Sequence, residues 1–390
     1  MSVYEMISPC HFGLESVLKR ELQALGLPIT AVEDGKVHFS GEEKDICRSN
    51  IFLRTAERVL VSAGSFRAET FDELFEETRA IDWAAFLPQD AKVWVTKANS
   101  IKSKLFSPSD IQRIIKKAIV EKLKEQYHTE TIPESGAEYP LRVSILKDEV
   151  TIGIDSSGVS LHKRGYRTDT VRAPISETLA AALLMLTPWK RDRILVDPFC
   201  GSGTFPIEAA LMASGIAPGL DREFTAEKWS GLIPKKCWYE ASEEAISMQQ
   251  DPGDCDIQGY DIDPASIRAA RENAARAGVS DLIHFQVRDV RALSHPKKYG
   301  FLVTNPPYGE RISEKAELPE LYHALGERFK ALDSWSMYLI TSYEDAVRDL
   351  GLVPEKNRKI YNGMLKTYFY SFPGPKPPKK PREEPAAEER

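Results

Sequence analysis

The sequence has no long apolar run and no cysteines in a recognisable arrangement. Its 390 residues include five cysteines, Cys10, Cys47, Cys200, Cys237 and Cys255, which are far apart and form no C-x-x-C pair. This argues against a disulfide framework and gives no sign of a zinc or other metal site. No apolar run reaches the roughly 18 residues of a membrane span, and the opening MSVYEMISPC lacks the basic-then-apolar pattern of a signal peptide. We therefore expect a reduced, cytoplasmic protein without a bound metal.

The sequence also lacks an excess of positive charge, since 52 Lys and Arg stand against 58 Asp and Glu and the formal net charge is -6. This argues against a protein that simply coats nucleic acid. The basic residues are nevertheless concentrated in residues 97–124, which hold eight basic and two acidic side chains. The segment begins in a Ser/Asn/Lys-rich loop and continues into a helix whose apolar residues recur at helical spacing: Ile111, Ile114, Ile115, Ile119 and Leu123. Phosphate binding and a merely solvated helix face explain this basic patch equally well.

The order of helical and strand patterns predicts three folded sections and a tail. Residues 1–66 and 67–165 each read as a small α+β unit. From 166 to 373 strands and helices alternate, which is typical of a parallel sheet with crossover helices, so the predicted class is α/β. The stretch 374–390 is rich in proline and charge and lacks large apolar residues, so we expect it to be disordered.

The stretch RILVDPFCGSGTFPIEAALMA predicts a buried strand, a sharp turn and a helix that begins near Thr204. Gly201 and Gly203 in the turn allow close approach of a ligand to the backbone, and the helix N-terminus offers free N–H groups to an anion. A nucleotide-like ligand is indicated. The G-x-G-x-x-G spacing is absent because Pro206 stands three residues after Gly203, and there is no P-loop lysine.

Two acidic residues end the next predicted strand, within GYDIDPASI. Asp263 is suited to cap a helix that begins at Pro264. Asp261 has no such structural role and is placed to accept both ribose hydroxyls of an adenosine. A third strand ends at Asp289, whose carboxylate could accept from an adenine amino group or could be an ordinary surface acid.

The motif NPPYGER follows the apolar run FLVT. The two prolines fix the backbone and remove N–H donors, so the Asn305 side-chain oxygen and the Pro306 carbonyl remain as acceptors. A planar amino group on a base supplies two matching N–H donors, and accepting both would localise the nitrogen lone pair for attack. Tyr308 supplies a ring on which the base can stack. The motif therefore indicates chemistry on an exocyclic amine.

The motifs DPFCGSGTF, YDIDP, RDV and NPPYGER, in this order between residues 197 and 311, resemble those of class I S-adenosylmethionine-dependent methyltransferases that modify exocyclic nitrogens. The two N-terminal units, the basic helix, KRGYR (163–167) and APISETLAAALL (173–184) are similar to the THUMP-domain RNA methyltransferases. Within them the chain most resembles the bacterial enzymes that make N2-methylguanosine in 23S ribosomal RNA, so ribosomal RNA is the expected partner, ahead of transfer RNA.

This resemblance implies a seven-stranded Rossmann-like methyltransferase domain at 166–373, preceded by a ferredoxin-like domain at 1–66 and an RNA-binding THUMP domain at 67–165. The implied catalytic residues are Asn305, Pro306, Pro307 and Tyr308. The implied cofactor-binding residues are Thr178, Asp197, Pro198, Phe199, Gly201, Ser202, Gly203, Thr204, Asp261, Ile262, Asp289 and Asn305. The expected RNA contacts are Lys97, Lys102, Lys104, Lys116, Lys117, Arg164 and Arg167.

Three other functions remain open at this point. An adenine-N6 methyltransferase of DNA or RNA shares the amine chemistry, and a protein glutamine methyltransferase also uses an N-P-P-Y loop. A cofactor-sensing RNA-binding module without catalysis is the third.

The N-P-P-Y loop accepts any planar amine, so selection of guanine would need a further acceptor for its N1–H. Glu310 is a candidate for that acceptor, unless it is a solvated acid or pairs with Arg311. The role of the roughly 40 residues inserted before the Asp261 strand is open.

Overall fold

The computed structural model describes residues 2–168, 175–309, 312–363 and 365–378, without the side chains of 312–314. Glu310 and Arg311, and the last part of the expected tail, lie outside the described residues. Within the described ranges no helix is long and apolar enough to cross a membrane.

The first sheet has seven strands in the order β2-β3-β1-β4-β7-β6-β5. Its strands are β1 (Tyr4–Pro9), β2 (Ile29–Glu33), β3 (Lys36–Gly41), β4 (Leu60–Arg67), β5 (Lys92–Ile101), β6 (Glu138–Leu146) and β7 (Glu149–Asp155). Its helices are α1 (Glu15–Ala24), α2 (Glu43–Phe52), α3 (Phe71–Ala80) and α4 (Pro108–Gln126). Because β4 pairs antiparallel with both β1 and β7, the two N-terminal units share one sheet.

Helix α4 is the predicted basic helix, and its apolar stripe faces inward as expected. Ile111, Ile115, Ile119 and Leu123 are fully buried, since residues three and four apart lie on one helix face. The Ser107 hydroxyl accepts from the Asp110 N–H and caps the helix, and Pro108 occupies its first turn. The opposite face of α4 therefore carries the lysines outward.

The second sheet, in the order β10-β9-β8-β11-β12-β14-β13, confirms the predicted α/β fold. Its strands are β8 (Leu195–Asp197), β9 (Ile257–Asp261), β10 (Ile283–Val287), β11 (Phe301–Thr304), β12 (Ser336–Thr341), β13 (Lys356–Asn362) and β14 (Leu365–Phe372). The helices are α5 (Glu177–Leu186), α6 (Thr204–Ala213), α7 (Lys235–Ser247), α8 (Pro264–Arg276), α9 (Ile312–Lys330) and α10 (Ala346–Leu350). Five strands are parallel, and the antiparallel hairpin β13–β14 completes the sheet.

The chain reverses its direction of winding at β8, which lies between β9 and β11. Crossovers on either side of such a switch point leave a crevice at the carboxyl ends of the strands, where α/β folds bind ligands. The sequence places the glycine loop after β8, Asp261 at the end of β9, Asp289 after β10 and Asn305 after β11. The fold therefore brings the four motifs to one edge of the sheet.

The insertion between α6 and β9, residues 214–256, packs against the N-terminal sheet. Its aromatic and aliphatic side chains belong to the same apolar core as α2, β6 and β7. Gly219 lies against the backbone of α2, where a Cβ atom would come within 2.7 Å of the Ile51 Cα, and its N–H donates to the Ile51 carbonyl at 2.9 Å. Only glycine permits this close approach.

Candidate active site

A cavity of about 610 Å³ opens at the carboxyl edge of the second sheet. It is walled by the segments that follow β8, β9, β10 and β11, with one side closed by α9. Of the residues predicted to bind cofactor or substrate, those on its wall are Asp197, Pro198, Phe199, Gly201, Ser202, Thr204, Asp261, Ile262, Asp289, Asn305, Pro306, Pro307 and Tyr308. The motifs, far apart in the sequence, thus face a single space.

The glycine loop adopts a conformation that other residues would strain. Gly201 has φ 52° and Gly203 has φ 87°, both in the left-handed region. A Cβ atom on Gly203 would lie 3.0 Å from Phe285 and 3.1 Å from Ala270, so the helix that it caps packs closely on the sheet. Gly203 therefore lies behind the cavity wall and shapes the loop without lining it.

Asp261 joins the glycine loop to the end of β9. Its Oδ2 accepts the Gly201 N–H at 3.0 Å and its Oδ1 accepts the Asp263 N–H at 2.9 Å. A carboxylate has about four lone-pair positions, so roughly two remain for a ligand. Burial raises the pKa of Asp261. Asp263 caps α8 through the N–H groups of Ala265 and Ser266, as the sequence predicts.

Asp197 is the most deeply buried acid of the cavity, with 2% of its surface exposed. Its Oδ1 accepts from the Thr304 hydroxyl at 2.6 Å and from the Phe199 N–H at 3.1 Å. Burial outweighs these two bonds and raises the pKa of Asp197 to about 7. Within the described part of the chain, its Oδ2 accepts no hydrogen bond, so this oxygen is available to a cationic ligand.

Asp289 is already engaged by a neighbour. Its carboxylate accepts the Arg291 N–H at 2.7 Å and pairs with the Arg291 guanidinium at 3.2 Å. Arg291 and Arg288 also line the cavity, and the sequence analysis missed both. The sequence signal for them was the basic residue on each side of Asp289, in RDVR.

The loop after β11 holds the predicted amine acceptors. Pro306 is buried, while Asn305 and Tyr308 are half-buried on the cavity wall. The Tyr308 hydroxyl donates to the Asn305 Oδ1. This oxygen has two lone pairs, so one remains for a substrate amine beside the tyrosine hydroxyl.

Thr178 and Cys200 lie in or near the segments that were expected to bind the cofactor, and their surroundings differ. Thr178, expected near the cofactor, is fully buried and donates to the Glu57 carboxylate, while Ile175 reaches the cavity wall from the same region. This corrects the expectation for Thr178. Cys200 lies on the wall, but burial raises the pKa of its thiol well above the usual range, so the thiol stays protonated and is not an activated nucleophile.

The predicted RNA contacts separate into an exposed set and a buried pair. Lys97, Lys102, Lys104, Lys116 and Lys117 lie on β5, α4 and the loop between them, and all reach solvent. Some are paired: Lys104 with Glu69 and Lys116 with Glu134. Lys97 and Lys102 form no ion pair with any described residue.

Arg164 and Arg167 do not present their charge to solvent, which corrects the expectation that they contact RNA. Arg164 is 6% exposed, with its Nε 3.5 Å from the fully buried Glu208 carboxylate. The Arg167 Nε lies 3.2 Å from the Glu177 carboxylate, and its Nη2 donates to the Thr204 hydroxyl at 2.9 Å. Both arginines therefore fasten the linker to α5 and α6.

A groove of about 620 Å³ lies between β5 and α4, and the sequence analysis missed its aromatic residue, Trp94. The half-buried Trp94 lies beside a rim of basic residues: Arg113, Lys116, Lys117 and Lys124. Lys92 lies over the Trp94 ring, 5.5 Å from its centroid. An aromatic floor with a basic rim is the arrangement that binds an unstacked base and its phosphates.

Comparison with known protein families assigns a description to each part of the chain. Residues 164–370 match the model of the RMKL-like methyltransferase domain. Residues 5–60 match the RlmL ferredoxin-like domain, and residues 68–155 match the THUMP domain.

Named relatives cover nearly the whole chain. "Putative RNA methyltransferase YpsC" of Bacillus subtilis (strain 168) is 46% identical over 374 residues, which are 95% of this chain and 96% of the relative. The "Ribosomal RNA large subunit methyltransferase K/L" of Marinomonas sp. (strain MWYL1) is 32% identical over 95% of this chain, which spans only 53% of that relative. The crystal structure of SMU.472, solved with S-adenosylhomocysteine, is 39% identical and superposes with a TM-score of 0.92 over 97% of this chain and 100% of that one.

Proposed function

The chain belongs to the RMKL-like methyltransferases with RlmL ferredoxin-like and THUMP domains, and we propose that it methylates an exocyclic amine of a base in RNA. The proposed base is guanine, at N2, in 23S ribosomal RNA. The relatives that carry a ribosomal RNA name support this substrate, although the chain spans about half of their length.

The cofactor is S-adenosylmethionine, and the cavity fits it. The lone pairs left on Asp261 match two ribose hydroxyls, and the free Oδ2 of Asp197 matches the amino group of the methionine part. The glycine loop closes the cavity between them. When bound, the cofactor supplies an electrophilic methyl group on a sulfonium sulfur.

The observation that carries the proposal is that the Asn305–Tyr308 loop shares the cavity with these acids. Asn305 Oδ1 and the Pro306 carbonyl accept the two hydrogens of the target amine and localise its lone pair, and Tyr308 stacks on the base. No described residue donates to the Pro306 carbonyl, so that acceptor is available. Catalysis is then mainly positioning, because the methyl group is already activated.

The pKa of Asp197 predicts how cofactor affinity depends on pH. A cationic amino group binds the ionised carboxylate, so its binding lowers the pKa from about 7. We expect the affinity for S-adenosylhomocysteine, which carries the same amino group, to be constant above that pH and to fall by up to about tenfold per pH unit below it. Calorimetric titrations between pH 8 and 5.5 measure this.

The matched control is Asp197→Asn. This variant should bind S-adenosylhomocysteine more weakly, and its affinity should depend much less on pH. Asp289→Asn should keep this pH dependence, because Asp289 is half-buried and already paired with Arg291. A wild-type affinity that stays flat from pH 8 to 5.5 would contradict the assignment of Asp197.

For RNA binding we propose the Trp94 groove together with the exposed lysines of β5 and α4. Tryptophan provides a sequence-independent stacking surface, and lysines contribute contacts to phosphates. In a protein of acidic net charge, this cluster of basic residues favours RNA binding on this face. The groove therefore holds an unpaired part of the substrate while the target base enters the cavity.

Replacing Trp94 by Ala should weaken binding of an rRNA fragment by about 5- to 100-fold, which is the value of one stacked base, without changing the dependence of affinity on salt.

Replacing Lys102, Lys104 and Lys116 together should weaken binding of the same fragment and also flatten the dependence of affinity on salt. Filter binding at several salt concentrations separates the two effects. Tyr239→Ala, at an exposed aromatic on the insertion, is the control, and equal losses in all variants would refute the groove.

The substrate is tested with labelled cofactor on undermethylated rRNA and tRNA, followed by digestion to nucleosides and mass spectrometry. We expect N2-methylguanosine in rRNA. N6-methyladenosine alone would overturn the base while leaving the amine chemistry intact, because the N-P-P-Y loop accepts either amine. Labelled protein with unlabelled RNA would overturn the substrate class. Glu310, the candidate acceptor for guanine N1–H, lies outside the described residues.

A further inference from the structure

A buried tyrosine on α9 contacts the backbone of the N-P-P-Y loop. Tyr322 is fully buried, and its hydroxyl donates to the Pro307 carbonyl at 3.2 Å. The same hydroxyl lies 2.6 Å from the Thr341 Oγ1, at the end of β12. Thr304 of β11 pairs with Leu339 of β12, so Thr341 stands two residues further along, level with the loop.

The hydrogens of this cluster can be assigned in one order only. A carbonyl cannot donate, so Tyr322 must give its single hydrogen to Pro307. The Thr341 hydroxyl then donates to the Tyr322 oxygen, and it accepts the Tyr343 N–H at 3.0 Å. Both hydroxyl groups then have a donor and an acceptor partner, and the hydrogen bonds run from β12 through α9 to the loop.

Among the residues that the structure describes, the Tyr322 hydroxyl is the one group that hydrogen-bonds to the backbone of Pro306 or Pro307. Pro306 and Pro307 have no N–H, and their rings fix φ near -65°. Because the peptides are planar and φ is fixed, ψ is the one soft backbone torsion left at each proline, so an anchor on the Pro307 carbonyl limits the orientations open to the Pro306 carbonyl. On the other side of the loop, Thr304 is held by Asp197. The Pro307 carbonyl is thus the loop's anchor to α9.

We propose that Tyr322, supported by Thr341, is a positioning residue for methyl transfer. By occupying the Pro307 carbonyl it keeps that oxygen away from the substrate and orients the Pro306 carbonyl and Asn305 as the pair that receives the amine. Tyr322 touches neither cofactor nor base and acts only through the loop. This inference rests on the proposed function, because the amine acceptors are those of that function.

The test compares turnover with cofactor binding in the full-length protein. Tyr322→Phe removes one oxygen atom and keeps the packing, and we expect kcat on RNA to fall about 10- to 100-fold, as for a small misplacement of reacting groups. The Kd for S-adenosylhomocysteine should change by less than about twofold, because the acids of the cofactor site keep their partners. Thr341→Val should behave in the same way, and Thr341→Ser should restore turnover.

Two comparisons separate positioning from loss of stability. Tyr338→Phe removes the hydroxyl of another buried tyrosine, on β12 but on its opposite face, and should retain wild-type turnover. The double variant Tyr322→Phe/Thr341→Val should be no slower than either single variant, because both act on one carbonyl.

The failures are distinguishable. Wild-type protein that transfers no methyl group to RNA refutes the proposed function. Wild-type protein that is active, with Tyr322→Phe turning over like Tyr338→Phe, refutes the positioning role alone. A cofactor affinity that falls in parallel with kcat would instead make Tyr322 part of the structure of the cavity.

Discussion

Replacing Asn305 by Ala should lower kcat for RNA methylation by about 10²- to 10³-fold, the effect of removing one preorganised hydrogen-bonding group from a transition state. Asn305 Oδ1 is the side-chain acceptor of the proposed pair, and the carbonyl of Pro306 cannot localise the amine lone pair alone. Cofactor affinity should change by less than about threefold, because Asp197 and Asp261 remain in place. Single-turnover kinetics and calorimetry measure the two quantities separately.

Asn305→Asp is the matched control, since it keeps an acceptor oxygen at the same position. It should retain more turnover than Asn305→Ala. A second check uses the hydrogen bond that the Tyr308 hydroxyl donates to the Asn305 Oδ1. Tyr308→Phe frees that oxygen but keeps the ring, so it should lower kcat much less than Asn305→Ala. Equal losses of turnover and cofactor affinity in Asn305→Ala would show that the residue builds the cofactor cavity.

The features that the sequence predicted well depend on local chemistry. A proline after an aspartate starts α8 because proline fits the first helical turn and the carboxylate caps it. Asn362-Gly363 is a dipeptide typical of hairpin turns, and the strands on either side of it, β13 and β14, pair antiparallel. Alternating strands and helices predict the parallel sheet, whose carboxyl edge necessarily collects the residues that follow each strand.

The features that it predicted poorly depend on partners far along the chain. Arg164 looks exposed within KRGYR, but Glu208, on α6, lies beside it. Tyr322 reads as a core residue, and nothing nearby in the sequence shows that its hydroxyl meets Pro307. Trp94 alternates with buried neighbours along β5, so the pattern places it on a sheet face without showing that α4 builds a groove beside it.

The insertion after α6 is the clearest case of a role that composition cannot show. In the structure it joins the methyltransferase sheet to both N-terminal units. The Ala226 N–H donates to the Ser156 carbonyl after β7 at 3.1 Å. On α7, Glu244 accepts two hydrogen bonds from Arg48 of α2, at 2.8 and 2.9 Å. We infer that the insertion holds the Trp94 groove at a fixed position relative to the cavity.

Trp229 is the centre of this attachment, and its loss should be the most destabilising single change in the insertion. It is fully buried, its ring stacks on Tyr139 of β6 at 4.8 Å with an 11° angle, and its Nε1 donates to the Glu138 carbonyl at 2.7 Å. Trp229→Ala leaves a large cavity and should lower the free energy of unfolding by about 3–5 kcal/mol. Urea unfolding followed by tryptophan fluorescence and by circular dichroism measures this.

The control is Tyr239→Ala, at an exposed aromatic of the same insertion, which should change the free energy of unfolding by at most about 0.5 kcal/mol.

If Trp229 also holds the two sheets of the protein together, Trp229→Ala should separate their unfolding transitions. A cooperative unit divides where its shared core is lost, so the N-terminal sheet and the methyltransferase sheet would unfold independently. S-adenosylhomocysteine should then stabilise only the second transition, since every acid of its site lies on that sheet. A single transition with a loss below about 1 kcal/mol would mean that the other contacts of the insertion suffice to join the domains.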